Sequence, residues 1–359
     1  MVDYSTVFDR VRGSLLGGAI GDALGWPIEF LQLEQIRQRY GAEGVTDFLP
    51  QYAQDAPQQI TDDTQMTLFT AEGLLRSAPS ADPVPALRRA YLRWLQTQRQ
   101  EEPALQADGW LVGLPFLYAV RAPGNACMSG LGQQARGYLA PRSFGEMGPV
   151  NPQSKGCGTV MRSAPFGLAG MGPDRAFTTA ARAAQLTHGH PTGYLAAGAF
   201  AALIDRVVSG IELSIAVRET VAQLAAFPAS DETVAALTRA VELSEHAATA
   251  EQVEQVGAGW IAEECLGIAV YCALYAALTG DPRAALLLSV NHSGDSDSTG
   301  AVAGNLIGAV HGVSGLPMEW AAAVEGRDVL VQVADDLVMN FGLGDRSALG
   351  ARYPFDEGL

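Results

Sequence analysis

Two short segments carry the residue types best suited to chemistry. Near the start lies Thr61-Asp62-Asp63-Thr64, and near the end Gly294-Asp295-Ser296-Asp297-Ser298-Thr299-Gly300. Each gathers carboxylates and hydroxyls with no Lys or Arg inside it. Four carboxylates facing one cavity repel one another. Hard divalent cations relieve that repulsion because they bind oxygen. Acid pairs this far apart in the chain therefore point to a two-metal oxygen site closed by the fold. Plainer readings exist for each segment alone: a helix cap for Thr61-Asp62-Asp63, and an Asx-turn for Asp295-x-Asp297. Glu29 offers a fifth carboxylate.

The elements that must position these acids are helices. Glycine recurs at 13, 17, 21 and 25, and again at 300, 304, 308 and 312. A spacing of four puts each set on one helical face. Glycine costs about 1 kcal/mol in a helix interior, so close backbone approach between two central helices is the expected compensation. Helices are expected after Thr61, with Met66, Phe69 and Gly73 inward, and after Asp297, with Val302, Leu306 and Val310 inward. Further helices are expected over Pro83 to Gln98, Pro173 to Leu186, Gly193 to Val208, Ser230 to Ala247, Ala262 to Leu278 and Met318 to Leu337. Glycine and proline mark loops over 99–115, 121–132 and 141–158. No alternating β pattern and no linker interrupts the chain. The expectation is all-α: one compact orthogonal helical bundle over 1–341 with a central dinuclear metal cleft, then a loosely packed C-terminal extension over 342–359.

Composition narrows the function. The chain has 359 residues, 48% hydrophobic, with a formal net charge of −16. That charge disfavours a binder of nucleic-acid backbone; a nucleotide-like ligand held by metal ions and helix N-termini remains compatible. The cysteines, Cys127, Cys157, Cys265 and Cys272, form no C-x-x-C pair, which reads as a reduced, cytoplasmic chain without a cysteine zinc site. The start lacks the pattern of a signal peptide, and the apolar stretches near Leu15 and Leu266 are short for a membrane span. No membrane partner is expected, and a monomer is the default.

The motifs together resemble the ADP-ribosylglycohydrolases, most nearly the bacterial dinitrogenase reductase-activating glycohydrolase branch. The likeness rests on Gly21-Asp22-Ala23-Leu24-Gly25 with Glu29-Phe30, on Ile60 to Met66, and on Gly294 to Ala301. Weaker matches are Gly124-Asn125-Ala126-Cys127, Gly156 to Arg162, and Thr187-His188-Gly189-His190-Pro191. The resemblance implies an all-α enzyme that hydrolyses the C1″ glycosidic bond of ADP-ribose conjugates, using two Mg²⁺ or Mn²⁺. It implies Thr61, Asp62, Asp63, Asp295, Asp297 and Ser298 as ligands, with Glu29 or Asp62 accepting the proton of water. It implies substrate contacts at Asn125, Gly156, Cys157, Gly158, Met161, His188, Ser293 and Gly294. Relatives often carry asparagine where Cys157 stands, and a thiol cannot repeat an amide's paired contacts. Arg162 is expected to pair with phosphate or, preferably, with Asp62 or another acid, His190 to be structural, and Trp260 to stack on adenine or to be a core tryptophan starting the next helix. The implied substrate is an ADP-ribosylated protein, modified on arginine. Serine, a nucleobase or a small molecule are the alternative acceptors, and a non-catalytic ADP-ribose binder or a metal-dependent phosphoesterase are the rival functions.

Overall fold

The computed structural model describes residues 3–50, 56–79, 81–105 and 108–356. Among them are sixteen α-helices and no β-strand. In chain order they are α1 (Tyr4–Gly25), α2 (Leu33–Tyr40), α3 (Asp62–Leu75), α4 (Val84–Thr97), α5 (Asn125–Arg136), α6 (Ala164–Leu168), α7 (Pro173–Ala184) and α8 (Pro191–Val208). The second half adds α9 (Leu213–Leu224), α10 (Asp231–Ser244), α11 (Ala250–Val256), α12 (Ala262–Thr279), α13 (Pro282–Val290), α14 (Ser296–His311), α15 (Met318–Ala323) and α16 (Arg327–Leu337). The helices pack around one continuous hydrophobic core.

At its centre α1 runs antiparallel against α14, and their glycines touch. A β-carbon built on Gly13, Gly17 or Gly21 would lie under 3.0 Å from the carbonyl oxygen of Gly308, Gly304 or Gly300, and the clash is reciprocal. Gly25 meets the backbone of Ser296 in the same way. Gly18 makes room for Asn305, whose Nδ2 donates to the Ser14 carbonyl at 2.8 Å. Residues 13–25 of α1 and 296–309 of α14 are buried on every side, so neither needs a polar face. Gly312 stands apart: it closes α14 at φ +69°, beside the Asp9 carboxylate.

Most of the expected helices form within a few residues of their expected ends. Four differences have physical causes. The span Met318 to Leu337 splits into α15 and α16, because the Gln58 N–H donates to the Ala323 carbonyl at 2.8 Å and the Gln58 carbonyl accepts the Glu325 N–H at 2.8 Å. Gly326 then takes φ +71° to restart the helix. The 121–132 loop instead contains the start of α5, where Gly130 packs against the Thr187 backbone. The sequence reading also omitted the shorter helices α2, α6, α9, α11 and α13.

The fourth difference is the tail, which is anchored rather than loose. Tyr353 is 0% exposed and donates to Asp336 at 2.8 Å. Asp356 accepts from Arg76 at 2.7 Å and lies 3.5 Å from Arg93. Residues 357–359 of the expected extension, and 106–107 of the expected 99–115 loop, lie outside the described residues. Helix α12 spans 18 residues, longer than the apolar stretch read from the sequence, and is apolar enough by composition to cross a membrane. Its core-facing side packs on α8, α10, α13 and α14.

The glycine contact sets one test. Gly304→Leu must push α1 from α14, costing about 1–3 kcal/mol or more by overpacking. The expected result is a clearly lowered thermal melt. A variant melting with the wild type would mean that the two backbones do not touch.

Candidate metal centre

The acids sit at three element ends that the α1–α14 contact brings together. Thr61 is the N-cap of α3, its Oγ1 accepting the Asp63 N–H at 3.3 Å. The stronger cap comes from α1. Buried Asp22 accepts the Thr61 N–H at 3.0 Å on both oxygens, the Thr64 N–H at 3.2 Å and the Thr64 hydroxyl at 2.5 Å. A helix start needs such acceptors, and Asp22 supplies them from outside. The carboxylates of Asp62 and Asp63 are thereby left for other work. Asp62 accepts the Gly124 N–H at 3.2 Å, and Asp63 Oδ1 is buried without a partner.

At α14 the capping reading fails in a similar way. Asp295 occupies the N-cap position but makes no side-chain capping bond. Its Oδ2 instead accepts the Cys157 thiol at 2.9 Å. Asp297 accepts the Ser298 N–H at 2.8 Å. Glu29 follows a 3₁₀ turn, Trp26–Ile28, that prolongs α1; its Oε2 is buried and unpartnered. One carboxylate oxygen each from Glu29, Asp295 and Asp297 lie within 4.8 Å of one another.

These groups line a cleft of about 280 Å³. Of the residues expected at the site, Glu29, Asp62, Asp63, Asp295, Asp297, Ser298, Asn125, Gly156, Cys157, Gly158, Met161 and His188 face it. Thr61 is buried beside Asp63, its Oγ1 3.4 Å from Asp63 Oδ2. Ser293 and Gly294 do not reach the cleft. Ser293 Oγ accepts the Leu33 N–H at 2.9 Å, holding α2, and Gly294 is pressed at φ +147° against the Ala258 backbone.

Burial dominates the electrostatics. It pushes Glu29 up to about 8, with Asp295, Asp62 and Asp22 adding repulsion. It pushes Asp62 up to about 8 and drives Asp63 and Asp297 well above the ordinary carboxylate range. Asp22 rises less, to about 6, because the hydrogen bonds from Thr61 and Thr64 pull against burial. Burial and Asp295 also raise the Cys157 thiol, so it is a protonated hydrogen-bond donor and a poor nucleophile.

Arg162 departs from expectation. Among the described residues no carboxylate pairs with it; it is buried under the site, 4.7 Å over the Tyr91 ring, donating to the Thr187 hydroxyl at 2.6 Å. Thr187 in turn contacts His188 Nδ1 at 2.7 Å, which fixes the ring against the cleft wall. Burial, with Arg162 nearby, drops His188 to about 3, so it meets a ligand neutral. His190 caps α8 through Nδ1, as expected of a structural histidine. Trp260 is no core residue: it lines the cleft mouth, 42% exposed.

Asp22 and Phe30 were not assigned roles from sequence alone. The signals available for Asp22 were its place in the Gly21–Gly25 motif and an acid within the glycine-spaced stretch 13–25.

An oxygen-only donor set, buried, with orphaned Glu29 and Asp63 oxygens, fits hard divalent cations. A family model described as ADP-ribosylglycohydrolase matches residues 3–346. The chain belongs to the ADP-ribosylglycohydrolase family. It is 26% identical over 322 residues to the ADP-ribosyl-(dinitrogen reductase) glycohydrolase of Rhodospirillum rubrum, covering 89% of this chain and 92% of that protein. It is 25% identical to the ADP-ribosylarginine hydrolase Tri1 of Pseudomonas putida, covering 92% and 78%, and 25% identical to the ADP-ribosylhydrolase ARH3 of Danio rerio, covering 92% and 89%. A solved ADP-ribosylglycohydrolase-related protein complex superposes with a TM-score of 0.63 at 25% identity, covering 93% of this chain and 98% of that one. As a family of hydrolases, the ADP-ribosylglycohydrolases make this chain an enzyme, and the acid-lined cleft is its candidate active site.

The raised carboxylates predict a pH signature. Glu29 and Asp62 hold protons in the folded state up to about 8, against about 4 when unfolded. Their contribution to stability is therefore present below about pH 4 and is lost as pH rises through about 8. Metal-free protein should melt lower near pH 8 than near pH 5, and Mg²⁺ should raise the melt most at the higher pH. Asp297→Asn should raise the metal-free melt near pH 8 and shrink the Mg²⁺ effect. A flat melting profile, unmoved by Mg²⁺ or by the substitution, would remove these acids from one shared site.

Proposed function

We propose that this enzyme hydrolyses the C1″ N-glycosidic bond between ADP-ribose and an arginine side chain of a protein, with two Mg²⁺ or Mn²⁺ ions. The observation that carries the reading is the set of buried, unpartnered carboxylate oxygens around one cleft. Thr61, Asp62, Asp63, Asp295, Asp297 and Ser298 would hold the ions. When bound, the ions supply Lewis-acid stabilisation of developing charge and a more acidic water. The names of two relatives, the ADP-ribosyl-(dinitrogen reductase) glycohydrolase and the ADP-ribosylarginine hydrolase, support the acceptor.

The chain's own residues divide the remaining work. Glu29, unpartnered at Oε2, takes a proton from the attacking water, with Asp62 as the neighbouring acid. Water's oxygen bonds to C1″, the C1″–N bond breaks, and the proton passes to the leaving guanidine. The products are ADP-ribose and arginine. Gly156 and Gly158 bring bare backbone to the cleft wall; a β-carbon on Gly158 would approach the His188 ring at 3.1 Å. The α5 N-terminus opens on the same cleft through Gly124, Asn125 and Ala126, and its free N–H groups favour a diphosphate. Neutral His188 hydrogen-bonds a ribose hydroxyl.

EDTA should abolish release of ADP-ribose from ADP-ribosyl-arginine, and Mg²⁺ or Mn²⁺ should restore it. Glu29→Gln should lower kcat by about 10²–10⁴-fold while ADP-ribose still binds. Full turnover in metal-free protein would exclude the metal role. AMP as product would place the chemistry at the diphosphate, and absence of turnover would leave a binding protein.

A further inference from the structure

We propose that the exposed ring pair Phe30–Trp260 is the acceptor subsite, receiving the planar guanidinium of the modified arginine. This rests on the glycohydrolase reading above and adds the residues that select the leaving group.

Phe30 directly follows Glu29 in the chain, and both rings line the mouth of the acidic cleft. The Trp260 carbonyl is pinned by the Cys157 N–H at 3.1 Å, and Gly259 beside it packs on Thr299 and Asp295. The rings are held against the metal centre yet remain 69% and 42% exposed. They stack on each other, centroids 5.7 Å apart and planes 23° from parallel. No slot lies between them for a base, so they offer an outer π face. Such a face attracts a flat cation.

Charge points the same way. Five carboxylates, Glu29, Asp62, Asp63, Asp295 and Asp297, line this cleft, and two divalent ions would offset only part of their full charge. A guanidinium is welcome at that mouth and a diphosphate is not. The α5 N-terminus, which lines the same cleft, has the complementary character. It leads into a neutral pocket of about 430 Å³ lined by Ser129, Asn151 and Ser154, which shares only Asn125 and Ala126 with the cleft. With the adenosine diphosphate on that side and the distal ribose at the acids, the scissile bond points towards the rings.

The test uses the Mg²⁺-loaded enzyme with Trp260→Leu and Trp260→Phe. It measures kcat/KM for ADP-ribosyl-arginine and the Kd of free ADP-ribose. We expect Trp260→Leu to lower kcat/KM about threefold to tenfold, with less than about a twofold change in the ADP-ribose Kd, and Trp260→Phe to recover most of the loss. An equal weakening of ADP-ribose binding would assign the rings to adenine and overturn the proposal, as would an unchanged kcat/KM. A wild-type enzyme that binds ADP-ribose but releases none from ADP-ribosyl-arginine would remove the arginine reading itself, and this subsite with it.

Discussion

The whole site depends on two helices approaching as closely as backbones allow. Four glycines of α1 meet Ser296 and three glycines of α14 with no side chain between. Because the helices are antiparallel, the C-terminal end of α1 lands on the N-terminal end of α14. Glu29 is thereby set beside Asp295 and Asp297, more than two hundred and sixty positions later in the chain. The entropic cost of glycine in a helix is offset by burial of both helices on every side. Any β-carbon along this seam would separate the carboxylates as well as the helices, so packing and chemistry share one constraint.

That constraint creates an electrostatic problem which the protein alone does not solve. The N-termini of α3 and α14 favour negative charge, but a dipole worth at most a few kcal/mol cannot offset burial of several mutually repelling carboxylates. Hence the raised Glu29, Asp62, Asp63 and Asp297. Where the protein does satisfy an acid, the outcome differs: Asp22, with four hydrogen bonds, rises only to about 6. Two cleft-facing oxygens, Glu29 Oε2 and Asp63 Oδ1, are buried without a partner. A fold that satisfies the supporting acid and leaves oxygens of Glu29 and Asp63 unpartnered at the cleft suits the binding of cations.

The features legible in the sequence were those written at short range. Glycine at every fourth position is a local pattern, and it correctly announced the central helix pair. The two acid clusters were equally plain, and the cleft gathers both. What stayed hidden depends on distant partners. Asp22 looked like an isolated acid because the N–H groups it serves lie 39 and 42 residues on. Helix α5 was masked by Gly130 and Gly132, whose glycine content suggested a loop. Ser293 and Gly294 sit next to the second cluster in sequence, yet α14 starts after them and turns them away from the cleft. Arg162 seemed to require a carboxylate; the Tyr91 face and the Thr187 hydroxyl met its needs instead, and through Thr187 it sets the His188 ring.

Helix α3 shows how the remaining structure serves the centre. Its positive end is held by an anion, Asp22, and its negative end by a cation, Arg76, which is the C-cap residue. That is the favourable orientation at both ends. Arg76 is fixed by Asp356 from the tail, while Glu72, one turn earlier, is paired with Arg93 of α4 at 3.0 Å. These charges are buried, so their bonding is directional and poorly screened. The helix is thus clamped over its full length, and Asp62 and Asp63 can move only if the clamp moves. A metal site needs its ligands held by such supporting contacts. The C-terminal segment, far from the chemistry in sequence, therefore belongs to the same mechanical unit as the carboxylates it never touches.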